Sequence, residues 1–341
     1  MATTKIQAAP QTAKRSFSAG SVISAIGRWI VRNRIYLIAF AIPAVLTYLA
    51  YALFGLYPFG EESVLCLDLN GQYVYYFEAL RDAFWGDGSI FYNWSRNLSG
   101  EFMGIIGYYL ASPFTLIVML LPEKFMLSSL LIMQLCKLGA AGATFNYFLQ
   151  KRRGVQPYPS LLFSTMYAMM AYGVIQLIDP MWLDGLVFLP LIMLGIEYLV
   201  DDGRRLNFII PLALMCVANF YIGYMICFFV ILYFLFYLCF GSDKKRKGYD
   251  YFTAFVRIAY SSVIALACAA FMLLPVYNAL KLGKFEFTDP DYSFRFQSFP
   301  LSKKLLENAQ DSPLLVFLCD LLDMFPQLLP AQYDSVNVQG K

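Results

Sequence analysis

Long apolar runs separated by short charged stretches set the pattern of the chain. The first runs from about Tyr36 to Leu56, directly after Arg28, Arg32 and Arg34, and others cover 103–122, 126–149, 157–200, 206–240 and 254–277. A helix needs about 20 apolar residues to cross a hydrocarbon core of about 30 Å. Taken together, the runs predict an all-α polytopic membrane protein with about seven spans.

Basic clusters between the runs give the orientation, because Lys and Arg gather on the cytoplasmic side. Residues 1–27 are polar and lack apolar periodicity, which predicts a disordered cytoplasmic tail. The run that follows is too long for a signal peptide and reads as an uncleaved span. That puts the N-terminus inside and makes 57–125 an outer loop. In this loop Gln72–Trp85 carries aromatics and Leu80 at helical spacing, predicting an amphipathic helix on the membrane. Lys151, Arg152 and Arg153 return the chain to the inside, so only one of the runs 103–122 and 126–149 crosses. The first is interrupted by Gly104, Gly107, Ser112 and Pro113, and is expected to re-enter or lie at the interface, since broken backbone needs protein or water around it.

Basic residues at both ends of 157–200 require two spans joined by a short outer hairpin, IDPMWLDG. The run Leu206–Phe240 would be about 52 Å long as one helix, so it also reads as two crossings, with a tight outer turn at NFYIGY around Asn219 and Gly223. A seventh span, 254–277, completes a transmembrane domain over 28–280. Residues 281–341 are expected on the outer face, with SPLLVFLCDLLDMF as an interfacial helix carrying Asp320 and Asp323. The chain then stops in polar sequence, which reads as the end of a fragment.

Composition narrows the chemistry. Of 341 residues 59% are hydrophobic and only 14% charged, against about 25% in soluble domains. The net charge of +3 is small and its basic residues serve orientation, so no nucleic-acid partner is expected. There is no histidine, which excludes, within this chain, a histidine base, a Ser-His-Asp triad and a His-ligated zinc site. Carboxylates, Lys, Tyr and Cys remain. Cys136, Cys216, Cys227, Cys239 and Cys268 lie in apolar runs as small hydrophobes. Cys66 and Cys319 lie outside them and can bridge on an oxidising face, for which two leftover cysteines are weak evidence.

The stretch LDLNGQY places Asp68 just past the first span, beside Asn70, Gln72 and Tyr73. Asp68 reads as a general base for an acceptor hydroxyl, as a ligand for a divalent cation, or as a solvated loop carboxylate. Asp184, with Trp182 in the next outer hairpin, can orient a substrate or simply cap its helix beside an aromatic belt; Asp179 faces the same side. Lys137 lies near mid-membrane, where a lysine costs on the order of 3 kcal/mol. It must therefore face protein or a cavity, either to neutralise a lipid phosphate or as a structural pair. Asn219, Tyr221 and Tyr224 can line the same outer cavity, unless Asn219 only serves its turn. Asn93 and Asn97 begin short glycosylation patterns of low specificity. Glu197, Arg204 and Arg257 read as anchors at inner span ends.

Four stretches, LDLNGQYVYYFEALRDAFW, YYLASPFTLIVMLLP, MWLDGLVFLPLIMLGIEYL and ANFYIGYMICFFVILYF, together resemble the bacterial YfhO-type membrane proteins, which are similar to the GT-C class of polytopic glycosyltransferases. The resemblance implies a GT-C-like bundle with interfacial or re-entrant helices in the first outer loop, in a longer protein with more spans. It implies transfer of a sugar from a polyprenyl-phosphate carrier to an envelope glycopolymer of the teichoic-acid sort, on the outer face of a Gram-positive cell membrane. Asp68 takes the place of the loop carboxylate of those enzymes, with Lys137 or Arg96 against the leaving phosphate. Implied partners are the lipid-linked sugar, the polymer, membrane lipid, a polyprenyl-phosphate glycosyltransferase and a small flippase. No DxD pair follows Asp68, which leaves a divalent cation an open question. A lipid or solute transporter and a non-catalytic assembly scaffold stay as alternatives.

Overall fold

The computed structural model describes residues 19–94, 100–242 and 248–281. The first helix, α1 (Ala19–Leu53), starts before the expected end of the tail. Residues 19–27 are thus helical. Residues 1–18 lie outside the described residues.

Helix α5 (Met126–Arg153) runs beside α1, and the fit depends on small residues. A Cβ at Gly142 would lie 2.5 Å from the Ala39 carbonyl oxygen, so the two backbones touch where membrane helices gain most from van der Waals packing. The helix stops at Gly154, whose φ of 61° is the left-handed conformation that terminates helices. Next come α6 (Pro157–Ala168), with proline at its first position, and the short α7 (Ala171–Ile175). Inside the bundle Asn146 donates to Ser160 at 3.0 Å and accepts from Gln150 at 2.7 Å. These bonds join α5 to α6 and satisfy amides that have no water to turn to.

Helices α8 (Leu183–Asp202), α9 (Leu206–Ala218), α10 (Phe220–Phe236) and α11 (Gly248–Leu280) share one apolar core. Ile192, Ile196, Leu199, Phe208, Leu212 and Met215 are buried there. Among the described residues five helical stretches are long and apolar enough to cross a membrane: Ser24–Leu53, Glu123–Arg153, Pro180–Asp202, Phe220–Gly241 and Gly248–Leu280. The other two expected crossings are held by shorter pieces, the α6–α7 pair and α9, whose 13 residues reach only about 20 Å.

The interrupted run contains no helix of spanning length. It consists of α3 (Met103–Ile105), a π-helical turn at Ile106–Leu110, an irregular link and α4 (Thr115–Leu120). Against it lies α2 (Val74–Trp85), the amphipathic helix expected from Gln72 onward, preceded by a second π turn at Leu69–Tyr73. Arg81 of α2 donates to the Val118 carbonyl at 2.5 Å and to that of Leu121, satisfying the unpaired C-terminal carbonyls of α4.

At the opposite end of the bundle, Glu197 is no surface anchor. It is fully buried, accepting from Arg152 at 2.8 Å, Arg153 at 2.6 Å and Tyr233 at 2.5 Å. The Arg cluster expected to mark only orientation thus supplies its counter-charges. Arg204 remains exposed over the Tyr198 ring, and Arg257 lies against Gly203. The chain from Lys281 forms a separate unit; the expected interfacial helix and Cys319 lie outside the described residues, and Cys66 is an exposed free thiol.

Candidate functional site

Three non-helical breaks meet at the Asp68 end of the bundle: the approach to the Leu69–Tyr73 π turn, the link at 111–114, and the Asp179–Trp182 hairpin before α8. Breaks leave backbone groups that need partners, and here polar side chains supply them. π-helical turns recur at functional sites because they re-aim side chains that a regular helix would point elsewhere.

Leu67 has a φ of 50°, a left-handed backbone that costs a non-glycine residue about 1–2 kcal/mol. It turns the chain so that the exposed Asp68 enters the first π turn. Tyr73, at the end of that turn, is buried, with its hydroxyl between two carboxylates. The hydroxyl is 2.8 Å from Asp179 Oδ1 and 3.3 Å from Asp68 Oδ2. A phenol has one proton, and the shorter contact assigns it to Asp179. Burial first, then the Asp179 hydrogen bond and the two negative charges, push the Tyr73 phenol well above its ordinary pKa. Tyr73 therefore stays a donor at neutral pH, and Asp68 keeps acceptor capacity toward the outside of the protein.

Aromatic rings continue from this point. Tyr73 and Tyr76 each pack 5.1 Å from Tyr109, which meets Tyr108 at 4.5 Å; Tyr108 in turn reaches Phe220 and Tyr221. Tyr108 and Tyr109 belong to the second π turn. Asn219 fixes that turn to the α9–α10 junction: its amide donates to the Tyr108 carbonyl at 2.8 Å while its Oδ1 caps the Ile222 N–H. Asn219 thus both serves its own turn and reaches the cluster. The Trp182 indole faces the Tyr108 hydroxyl. Tyr224 is half-exposed and packs on Phe228.

Lys137 and Asp184 form a buried ion pair, 2.7 Å apart and at most 1% exposed. Lys137 also donates to the Pro180 carbonyl at 2.8 Å, and Ser112 donates to the second oxygen of Asp184 at 2.8 Å. Both groups are consequently committed to each other and to the breaks around them. Arg96 and Asn97 lie outside the described residues, and Asn93 sits in a two-residue strand.

Among the described residues no three metal-ligating side chains converge. Asp68 and Asp179 supply two carboxylates, the usual protein share for a magnesium ion that keeps water or phosphate in its remaining positions. Such an ion would supply charge neutralisation for a phosphate at this end of the bundle.

Sequence reasoning singled out Asp68, Tyr73, Asn219, Lys137, Trp182 and Asp184, and the structure gathers all of them around the three breaks. It adds Asp179, Ser112, Tyr108 and Tyr109. Of these, Asp179 had a readable signal, as a second acid in a hairpin already assigned to the side of Asp68.

Comparison with known proteins agrees with this architecture. The family described as bacterial membrane protein YfhO matches residues 39–308. The "Uncharacterized protein YfhO" of Bacillus subtilis (strain 168) is 27% identical over 168 residues, covering 44% of this chain and 19% of that protein. The match thus spans about a fifth of the relative's length. No solved structure matches. With most of its apolar runs and its whole Asp68 cluster inside the matched region, this multi-pass membrane protein belongs to the YfhO family of bacterial membrane proteins.

Proposed function

We propose that the chain belongs to a membrane glycosyltransferase that moves a sugar from a polyprenyl-phosphate carrier to an envelope glycopolymer such as teichoic acid. The observation that carries this reading is Tyr73 held between Asp179 and Asp68. Arg28, Arg32 and Arg34 in the N-terminal half of α1 and the basic residues at the end of α5 support a cytoplasmic N-terminus, which favours the outer face for this cluster, where a lipid-linked donor presents its phosphate.

In the proposed step Asp68 takes the proton of the acceptor hydroxyl. The acceptor oxygen forms a bond to the anomeric carbon as the bond from that carbon to the phosphate oxygen breaks. The leaving polyprenyl phosphate keeps the bonding electrons, and the anomeric centre inverts. Tyr73, donating to Asp179, keeps its hydroxyl oxygen 3.3 Å from Asp68 Oδ2 and so fixes the wall against which Asp68 stands. The ring series from Tyr76 to Tyr221 offers flat apolar faces of the kind that sugar rings stack on. Arg96 is the cation proposed for the leaving phosphate, since Lys137 is engaged by Asp184.

The test is Asp68→Asn in the full-length protein at unchanged membrane abundance, with sugar on the extracted envelope polymer measured by mass spectrometry. Loss of polymer-bound sugar with accumulation of the polyprenyl-phosphate sugar is the expected result. Wild-type sugar levels would overturn the reading and turn attention to transport or scaffolding.

A further inference from the structure

The sequence offers Lys137 for a lipid phosphate or a structural pair and Asp184 for a substrate or a helix cap, and the structure pairs the two. Lys137 Nζ has two oxygen partners, Asp184 Oδ2 and the Pro180 carbonyl, and lies 5.7 Å from the centre of the Phe114 ring. Asp184 has both oxygens engaged, by Lys137 and by Ser112. Both side chains are at most 1% exposed and each is already engaged by two partners, so their charges are spent on each other and on the surrounding backbone.

What the pair does hold is backbone. The Pro180 carbonyl belongs to the residue directly after Asp179, and Ser112 belongs to the break that follows the Tyr108–Tyr109 turn. One ammonium thereby ties the middle of α5 to the Asp179 hairpin, and its counter-ion ties the first turn of α8 to the link at 111–114. The hairpin is also held by its own turn bonds, by Gln134 donating to the Leu177 carbonyl at 2.6 Å and by buried Met181, while the Lys137 bond grips the residue next to Asp179. Asp179 sits between the short α7 and the 3-10 turn Pro180–Trp182, where regular helical bonds do not continue. Where Asp179 stands determines where the Tyr73 proton points.

Resting on the proposed role of Asp68, we infer that Lys137 and Asp184 are positioning residues: an internal strut that sets Asp179 against Tyr73 through the Pro180 carbonyl, and through Tyr73 sets Asp68. The chain of contact runs Lys137, Pro180, Asp179, Tyr73, Asp68, with each link a hydrogen bond or one covalent step except the last, a 3.3 Å contact between the Tyr73 hydroxyl and Asp68 Oδ2. A misplacement of about 1 Å in such a chain is enough to cost on the order of 100-fold in a positioned proton transfer.

The experiment places 3-fluorotyrosine at position 73 of the full-length protein and follows its 19F resonance against pH, alongside polymer-bound sugar. Two variants are compared with wild type at matched membrane abundance. Lys137→Met/Asp184→Leu removes both charges together, so neither is left buried alone. Lys137→Gln keeps an N–H donor and leaves Asp184 its bond from Ser112, and serves as the milder variant should the double one not accumulate. The expected result is that the residue-73 titration midpoint falls in the double variant and by less in Lys137→Gln, burial keeping it above that of the free amino acid in both, with sugar transfer down by about 100-fold in the former.

An unchanged midpoint in either variant, recovered folded from the membrane, overturns the assignment. The two readouts separate this inference from the reaction it rests on. A shifted midpoint beside an Asp68→Asn protein that still decorates the polymer keeps the strut and discards the transferase.

Discussion

Tyr73 and Asp179 stand 106 positions apart in the chain, yet the phenol oxygen of one lies 2.8 Å from a carboxylate oxygen of the other. That single bond joins the loop after α1 to the hairpin before α8, with the Tyr73 hydroxyl also 3.3 Å from a third residue, Asp68. Because Tyr73 gives its proton to Asp179, Asp68 receives none from it. Tyr73→Phe leaves the ring packed on Tyr109 and removes only the hydroxyl. It should lower sugar transfer by about 10- to 100-fold while costing stability only about 1 kcal/mol, as read from polymer-bound sugar and from thermal unfolding in detergent. Equal loss of both quantities would mark Tyr73 as structural only.

Asn219 carries two jobs with its two ends. The oxygen caps α10 and the amide holds the Tyr108 carbonyl. Asn219→Asp keeps the cap and loses the tie, whereas Asn219→Ala loses both. Removing a cap costs about 1 kcal/mol, and leaving a buried carbonyl unpaired costs about 1–3 kcal/mol. Thermal unfolding should therefore fall furthest for Asn219→Ala. The aspartate variant should show a specific defect in the Tyr108–Tyr221 contact, visible as altered tyrosine resonances.

Much of this was legible along the chain. The length of the 206–240 run forced a turn, and Asn219 sits at that turn. The cost of a lysine in an apolar run required a partner for Lys137. The identity of the partner was not legible, because Asp184 is 47 positions away and only the rotation of α5 against α8 makes them meet. Glu197 was misread for the same reason: its place at a span end is a sequence property, but its burial follows from Arg152 and Arg153 on the neighbouring helix. The π turns at Leu69–Tyr73 and Ile106–Leu110 leave no mark on hydrophobic periodicity, so the convergence of Tyr73, Tyr108 and Tyr109 could not be read in advance.

Glu78 on α2 provides a pH test. Burial first, then the neighbouring charges of Glu123 and Asp82, raise its pKa above the ordinary carboxylate value. A carboxyl whose folded pKa is raised stabilises the fold below its unfolded pKa and loses that contribution as pH rises through the folded value. Glu78→Gln should then stabilise the protein at neutral pH and leave it unchanged at a pH below about 4.5. Since Glu78 is partly exposed and the repulsion is screened, the gain should be at most about 0.5 kcal/mol. Melting curves at the two pH values, at low salt, give the comparison.

Arg152 makes the strongest case for a purely structural charge. Its guanidinium spans α5, α8 and the turn after α10: Nε reaches Glu197 at 2.8 Å, and one terminal nitrogen serves both Asp201 and the Tyr237 hydroxyl. Glu197 is fully buried, Asp201 nearly so, and Arg152 itself is 18% exposed. Arg153, at 41% exposed, reaches Glu197. Removing one partner of a buried pair leaves an uncompensated charge, at a cost of about 3–5 kcal/mol, whereas an exposed arginine contributes about 1 kcal/mol or less. Arg152→Ala should therefore sharply reduce membrane abundance and unfolding temperature, and Arg153→Ala should do so slightly. Combining Arg152→Ala with Asp201→Asn should recover part of the loss, since the second change removes one of the stranded charges. Strict additivity of the two losses would mean that Arg152 and Asp201 do not share an interaction, against the geometry at this end of the bundle.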